Sequence, residues 1–306
     1  MASKNKPIEL RAFSIKAKNL TSNSAEYLNN LINKLQKTEV KDRQMLINQD
    51  DPSGEQDVIS NYSIQDEQDD KNLCATFMRM SPNAVDEHID KKYLEENTFK
   101  IEDISVNETK AAAQHKSHFY FCMNDRYLVT ALLSKNTTIM RVQTYINWLL
   151  GISTLELTPI VEAPVGKRLS DLKLIKFSDP FCDEPDMFNE TMHLQNKLTD
   201  FMSKLFLDTD SLKNIDLNQI VSAELTLKLT KPKKMSEEDY QRKYGALIKP
   251  VSDLENVTFK DNLGNKITGE EIQKIKPILI EQTDNGYISE QQLNTEMATF
   301  LRELNR

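Results

Sequence analysis

The sequence predicts an α+β protein: mixed or antiparallel sheets, several amphipathic helices and two domains. Three observations carry that expectation. Alternating apolar and polar runs recur along the chain, interspersed with amphipathic helical segments, without a regular βαβ alternation. Two pairs of strand-like runs are joined by tight-turn sequences, at Asn124-Asp125 and at Asn262–Gly264. At 306 residues the chain is long enough for two cores. We divide it at residue 165. Residues 1–165 form an α+β domain with an acidic insert at about 49–110, and residues 166–306 form an α+β domain with a basic edge segment.

The elements follow in order. Ile8–Ala17 alternates and reads as a strand. Leu28, Leu31, Ile32 and Leu35 fall at helical spacing behind Ser24, a good N-cap. Arg43–Asn48 and Leu73–Met80 read as strands, and the Asp-, Ser- and Gln-rich stretch between them reads as a loop. HFYFCMNDRYLVTALL is a hairpin. NTTIMRVQTYINWLLG is a helix stopped by Gly151. STLELTPIVE and DLKLIKF are strands, and NETMHLQNKLTDFMSKLFL is an amphipathic helix. VSAELTLKLTKPKK is a strand that Pro232 ends or confines to an edge. SEEDYQRKYGAL is a helix capped by Ser236, NVTFKDNLGNKIT a second hairpin, and QQLNTEMATFLREL a closing amphipathic helix.

Composition removes several classes. Only 7 glycines are present, and no GxxxxGK[ST] or GxGxxG pattern occurs, so P-loop and Rossmann nucleotide sites are set aside. Cys74, Cys122 and Cys182 are widely spaced and odd in number, which argues for no disulfide framework and a reducing cytoplasm. The segment MASKNKPIEL has no apolar core of leader length, and no run reaches the ~18 apolar residues of a membrane span. We therefore expect a cytoplasmic chain, with any membrane role supplied by a partner.

Charge is uneven. The chain holds 47 acidic and 39 basic side chains, a formal −8. Glu39 to Lys110 carries 18 acids and 8 bases, whereas Lys228 to Lys276 carries 11 bases and 8 acids. A local basic surface on an acidic chain still steers polyanions. The densest basic stretch holds Lys228, Lys231, Lys233, Lys234, Arg242, Lys243 and Lys249, with Tyr240 and Tyr244 interleaved. Lysines on flexible stems suit phosphate contact without base reading, and lysines also blunt edge strands. Both readings stay open.

Other constellations carry less. His115 and His118 lack a third metal ligand in register. No GxSxG nucleophile motif occurs, and no residue is assigned as catalytic. The acidic loop Asp183, Glu184 and Asp186 is the nearest thing to a cation-holding cluster. No cofactor is expected.

The order of elements adds a resemblance. The hairpin HFYFCMNDRYLVTALL, the helix NTTIMRVQTYINWLLG, the basic strand ELTLKLTKPKK and the closing GYISEQQLNTEMATFLREL follow one another over roughly two-thirds of the chain. This succession resembles the RexA-like phage-exclusion proteins of lambdoid phage and phage-defence loci. The resemblance implies a cytosolic, dimeric, non-enzymatic sensor. It would bind DNA without strong sequence preference and act with a separate membrane protein. On that expectation Lys228, Lys231, Lys233, Lys234, Arg242, Lys243 and Lys249 meet phosphates, and Tyr240 or Tyr244 packs on sugar or base. Two alternatives remain: an interaction protein that uses its acidic segment and not DNA, and a metal-dependent nuclease using the Asp183 loop.

Overall fold

The computed structural model describes residues 5–17, 24–48, 52, 54–67, 70–82, 89–104, 111–133, 139–178, 224–228, 235–249, 254, 257–282 and 287–305. Among the described residues, helices and antiparallel sheets coexist in one chain, an α+β fold. The chain divides into two compact units. The first joins residues 1–160 to residues 274–306, and the second is residues 161–273. The observed first crossing lies close to residue 165. The second crossing differs from expectation, because the last strand and helix return to the first unit. They return because Ile278, Ile280, Leu293, Met297, Phe300 and Leu301 bury against the first unit's sheet.

The first unit is built on a nine-stranded sheet. Its strands are β1 (Asn5–Ala17), β2 (Met45–Leu46), β3 (Gln56–Glu67), β4 (Asp70–Ser81), β5 (Ile89–Asp90), β6 (Ala111–Met123), β7 (Tyr127–Ala131), β8 (Leu155–Pro159) and β13 (Ile275–Glu281). The order is β13-β1-β7-β6-β4-β3-β2, with β5 on β6 and β8 on β1. Period-two alternation gives this sheet two apolar faces. Phe13, Phe77, Phe119, Phe121 and Leu128 face helices α1 (Ser24–Lys37) and α3 (Met140–Leu150). Leu10, Cys74, Tyr120, Cys122 and Val129 lie on the other face, in the same core as the last helix, α6 (Glu290–Leu304). A short helix, α2 (Lys91–Leu94), leads into a smaller core around Met78, Met80, Ile89, Phe99 and Ile101.

Several expected elements stand. The hairpin turns where Asn124 Oδ1 accepts from the backbone N–H groups of Arg126 and Tyr127. Gly151 closes α3 with φ 66°, the left-handed region that a residue with a Cβ enters only at a cost. Two expectations are corrected. The stretch read as a loop contains β3, twelve residues long and paired along β4. Its Val58 and Ile59 are both fully buried, because they alternate onto opposite faces and each face has its own apolar cover: Val58 lies in the core of Met78 and Ile89, Ile59 in that of Phe77 and Tyr145. The acidic insert at 49–110 is therefore integral to the sheet over Gln56–Glu67 and Asp70–Ser81. The second correction is a disulfide between Cys74 and Cys122, which are cross-strand partners on β4 and β6. Strand register, not sequence spacing, brings them together. The helix expected within NETMHLQNKLTDFMSKLFL, the Asp183 loop and Cys182 lie outside the described residues.

The second unit has a four-stranded sheet in the order β10-β9-β11-β12, all antiparallel. Its strands are β9 (Leu172–Ser178), β10 (Glu224–Lys228), β11 (Val257–Asp261) and β12 (Lys266–Thr268). Helix α4 (Glu237–Ile248) is capped by Ser236, whose Oγ accepts from the N–H of Asp239. A one-turn helix, α5 (Gly269–Ile272), follows β12. The core gathers Ile175, Phe177, Tyr240, Tyr244, Ile248, Val257, Phe259 and Ile267.

Candidate nucleic-acid interface

The second unit's sheet buries one face. Ile175 and Phe177 of β9, Leu227 of β10, Val257 and Phe259 of β11 and Ile267 of β12 point into the core. Alternation then sends their neighbours to the opposite face. The register sets these neighbours in rows across the strands. One row runs Lys228, Leu174, Lys260, Lys266, and the next runs Thr226, Lys176, Thr258, Thr268. With strands ~4.8 Å apart, the first row spans about 14 Å from Lys228 to Lys266. Lys228, Thr226 and Lys266 are exposed, and Leu174, Lys176, Thr258 and Lys260 are half-buried.

Four lysines on one sheet face, without a carboxylate in either row, make a locally positive surface. Lys260 and Lys266 are direct register partners. Like charges placed opposite one another destabilise a sheet, and an anion over the pair removes that cost. The next row along the sheet begins with Glu224, paired with Ser178, and two acids at the other end of the strands are engaged locally. Asp261 ends β11, where its carboxylate accepts from the N–H groups of Leu263 and Asn265, from the Asn265 amide and from Lys167 Nζ at 2.9 Å. Asn265, and after it Lys167, hold this carboxyl well below the usual carboxylate range. Glu271 closes a capping box with Thr268, which likewise lowers its carboxyl.

The structure separates the residues that sequence grouped. Lys228 sits on edge strand β10, on the sheet face just described. Arg242 lies on α4, which packs on the other side of the sheet, and its guanidinium binds Asp239 on the same helix. Lys243 and Lys249 are half-buried on α4 and at its C-cap. Lys231, Lys233 and Lys234 lie outside the described residues. Tyr240 and Tyr244 are corrected. Both rings are buried, stacked on each other at 6.2 Å, and the Tyr244 hydroxyl donates to the Leu172 carbonyl. Burial also raises the Tyr244 hydroxyl's pKa. The i,i+4 spacing that interleaves them with basic residues is the spacing that points both into the core, so neither offers a face to a base.

Sequence reasoning missed Lys176, Lys260 and Lys266. The signal was present in their alternation with Ile175, Phe177, Phe259 and Ile267. Only the pairing of three separate strands shows that they share a face with Lys228.

His115 Nε2 and His118 Nδ1 are 3.1 Å apart, and Cys122 is in the disulfide. Among the described residues, no group of three or more His, Cys, Asp or Glu is placed to hold a metal. Nor is any helix among them long and apolar enough to cross a membrane. Comparison with protein-family models, curated proteins and solved structures finds no match to this chain.

Proposed function

We propose that this chain binds the phosphate backbone of nucleic acid, without strong base preference, through the lysine face of its second unit. Its role would be the non-enzymatic phage-exclusion type that the resemblance implies, with signalling to a membrane partner. The observation that carries the binding is the juxtaposition of Lys228, Lys176, Lys260 and Lys266 across four paired strands, with no acid in their rows. Phosphates need only cations on flexible stems, and base reading needs donors and acceptors matched to groove edges. This face has the first kind of group in excess. Among its described residues it has no aromatic for stacking.

The test is fluorescence anisotropy on labelled duplex and single-stranded DNA of several sequences, across a salt series. We expect salt-sensitive binding with little sequence dependence. The triple variant Lys228→Glu, Lys260→Glu, Lys266→Glu should weaken binding sharply. It should also flatten the log–log salt slope on duplex by about 0.9 for each phosphate that the variant no longer neutralises. Arg242→Glu, across the sheet, should leave both nearly unchanged. No binding at low salt, or a triple variant that binds like the parent, would overturn the assignment. Probe degradation that requires Mg²⁺ would instead support a nuclease.

A further inference from the structure

A second feature, independent of the lysine face, lies in the first unit. Cys74 and Cys122 are register partners with Cα atoms 3.9 Å apart, and their sulfurs are joined. Both are fully buried on the face that shares its core with α6. The Cys74 sulfur lies 3.9 Å from the carbonyl of Asn294, in the second turn of α6. Two residues before Cys122, the Tyr120 hydroxyl donates to Glu290 at the start of the same helix. The rung therefore sits under the N-terminal half of α6.

Two physical consequences follow. Thiol–disulfide exchange requires a thiolate to reach one of the sulfurs. Here sheet strands flank the pair and α6 packs on its face, so the helix must lift before exchange begins. The second consequence concerns volume. Reduction by a small dithiol delivers two electrons and two protons. The S–S bond breaks, two thiols form, and the dithiol closes to a cyclic disulfide. The two sulfurs must then retreat to van der Waals separation, while the ladder keeps their backbones adjacent. In a close-packed layer that acts as overpacking. Ladders on both sides hold β4 and β6, whereas side-chain contacts hold α6, so the helix is what yields.

We infer that Cys74–Cys122 is a redox-responsive rung. Oxidised, it lets α6 seat on the sheet; reduced, it loosens α6. The experiment uses the full chain carrying Cys182→Ser, so that no third thiol interferes. Intact mass without reductant should be lower than the fully reduced mass by two hydrogens. Hydrogen exchange followed by mass spectrometry, with and without dithiol, should show peptides covering 290–304 exchanging several-fold faster after reduction. Peptides from β1 and β7 should change little. Adding Cys74→Ala and Cys122→Ala removes both the bond and the excess volume, so helix exchange should no longer respond to dithiol. The comparison of oxidised with reduced parent decides alone if that variant does not fold. Two free thiols in protein prepared in air, or α6 exchange indifferent to dithiol, would overturn the inference. So would acceleration spread evenly over the whole first unit.

Discussion

At the scale of single residues, the first unit's most demanding side chain is Asp57. It is buried between two guanidinium groups. Arg79 donates Nε to Oδ1 at 2.9 Å and Nη2 to Oδ2 at 3.1 Å, and Arg141 donates Nε to Oδ2 at 2.8 Å. Arg141 also lies over the rings of Phe77 and Phe119. Removing one partner of a buried ion pair leaves an uncompensated charge and costs about 3–5 kcal/mol. Asp57→Ala should therefore destabilise the protein by at least that order in urea denaturation; a change under ~1 kcal/mol would mean the arginines reach water. His118 supplies a pH test. Burial first, then the neighbouring His115 and Lys6, lower its pKa from 6.5 to about 4. Between those values the unfolded chain binds the proton and the folded one does not, so stability falls as pH falls through that window. His118→Gln should flatten the stability–pH curve from about 6.5 to 4 relative to the parent, and an unaltered slope would assign the loss to other groups. The same scale explains the failed expectation for Tyr240 and Tyr244. Charge is legible residue by residue, but the side of a helix that meets the core is not.

At the scale of elements, strand β13 ends the long sheet and is guarded. Pro277 offers no N–H. Gln292 of α6 accepts from the Glu281 N–H at 2.8 Å and donates to the Leu279 carbonyl at 3.4 Å. A glutamine side chain thus occupies backbone groups that another strand would otherwise pair with. Pro277→Val with Gln292→Ala should expose a pairing edge. Sedimentation should then show more concentration-dependent association than the parent has, and equal behaviour would mean other features protect the edge. Strands with both apolar periodicity and turn signals were legible in sequence, as β6 and β7 show. Strand β3 was not. Its apolar residues are diluted by Asp, Ser, Gln and Asn, and Asp57 is neutralised by its cross-strand partner Arg79 on β4 and by Arg141 of the distant helix α3.

At the scale of the whole molecule, the chain passes between its two units twice. In the first unit the exits are neighbours, for the Lys274 N–H donates to the Ile160 carbonyl at 2.8 Å. Antiparallel neighbours of that kind can be joined by a two-residue turn. Replacing residues 161–273 by Asn-Gly should leave a first unit that folds, read as a cooperative thermal transition. That variant should also lose salt-sensitive binding to DNA. A molten product would mean the first unit depends on the second, and retained binding would move the nucleic-acid surface elsewhere.

The sequence by itself determined the α+β class, the two hairpins, the helix beginning at Ser24 and the closing helix to within a residue of its start, and the concentration of basic residues late in the chain. Each rests on local physics: side-chain period, turn chemistry, capping and formal charge. Tertiary structure decided what those local signals leave free. It returned the last strand and helix to the first unit, joined Cys74 to Cys122, turned Tyr240 and Tyr244 inward and placed Lys176, Lys260 and Lys266 beside Lys228. The inward turn of the tyrosines depends on which side of α4 meets the core, and the other three outcomes depend on which strand pairs with which and in what register. Register is settled by burying an apolar face between segments far apart in the chain, so no local window contains it.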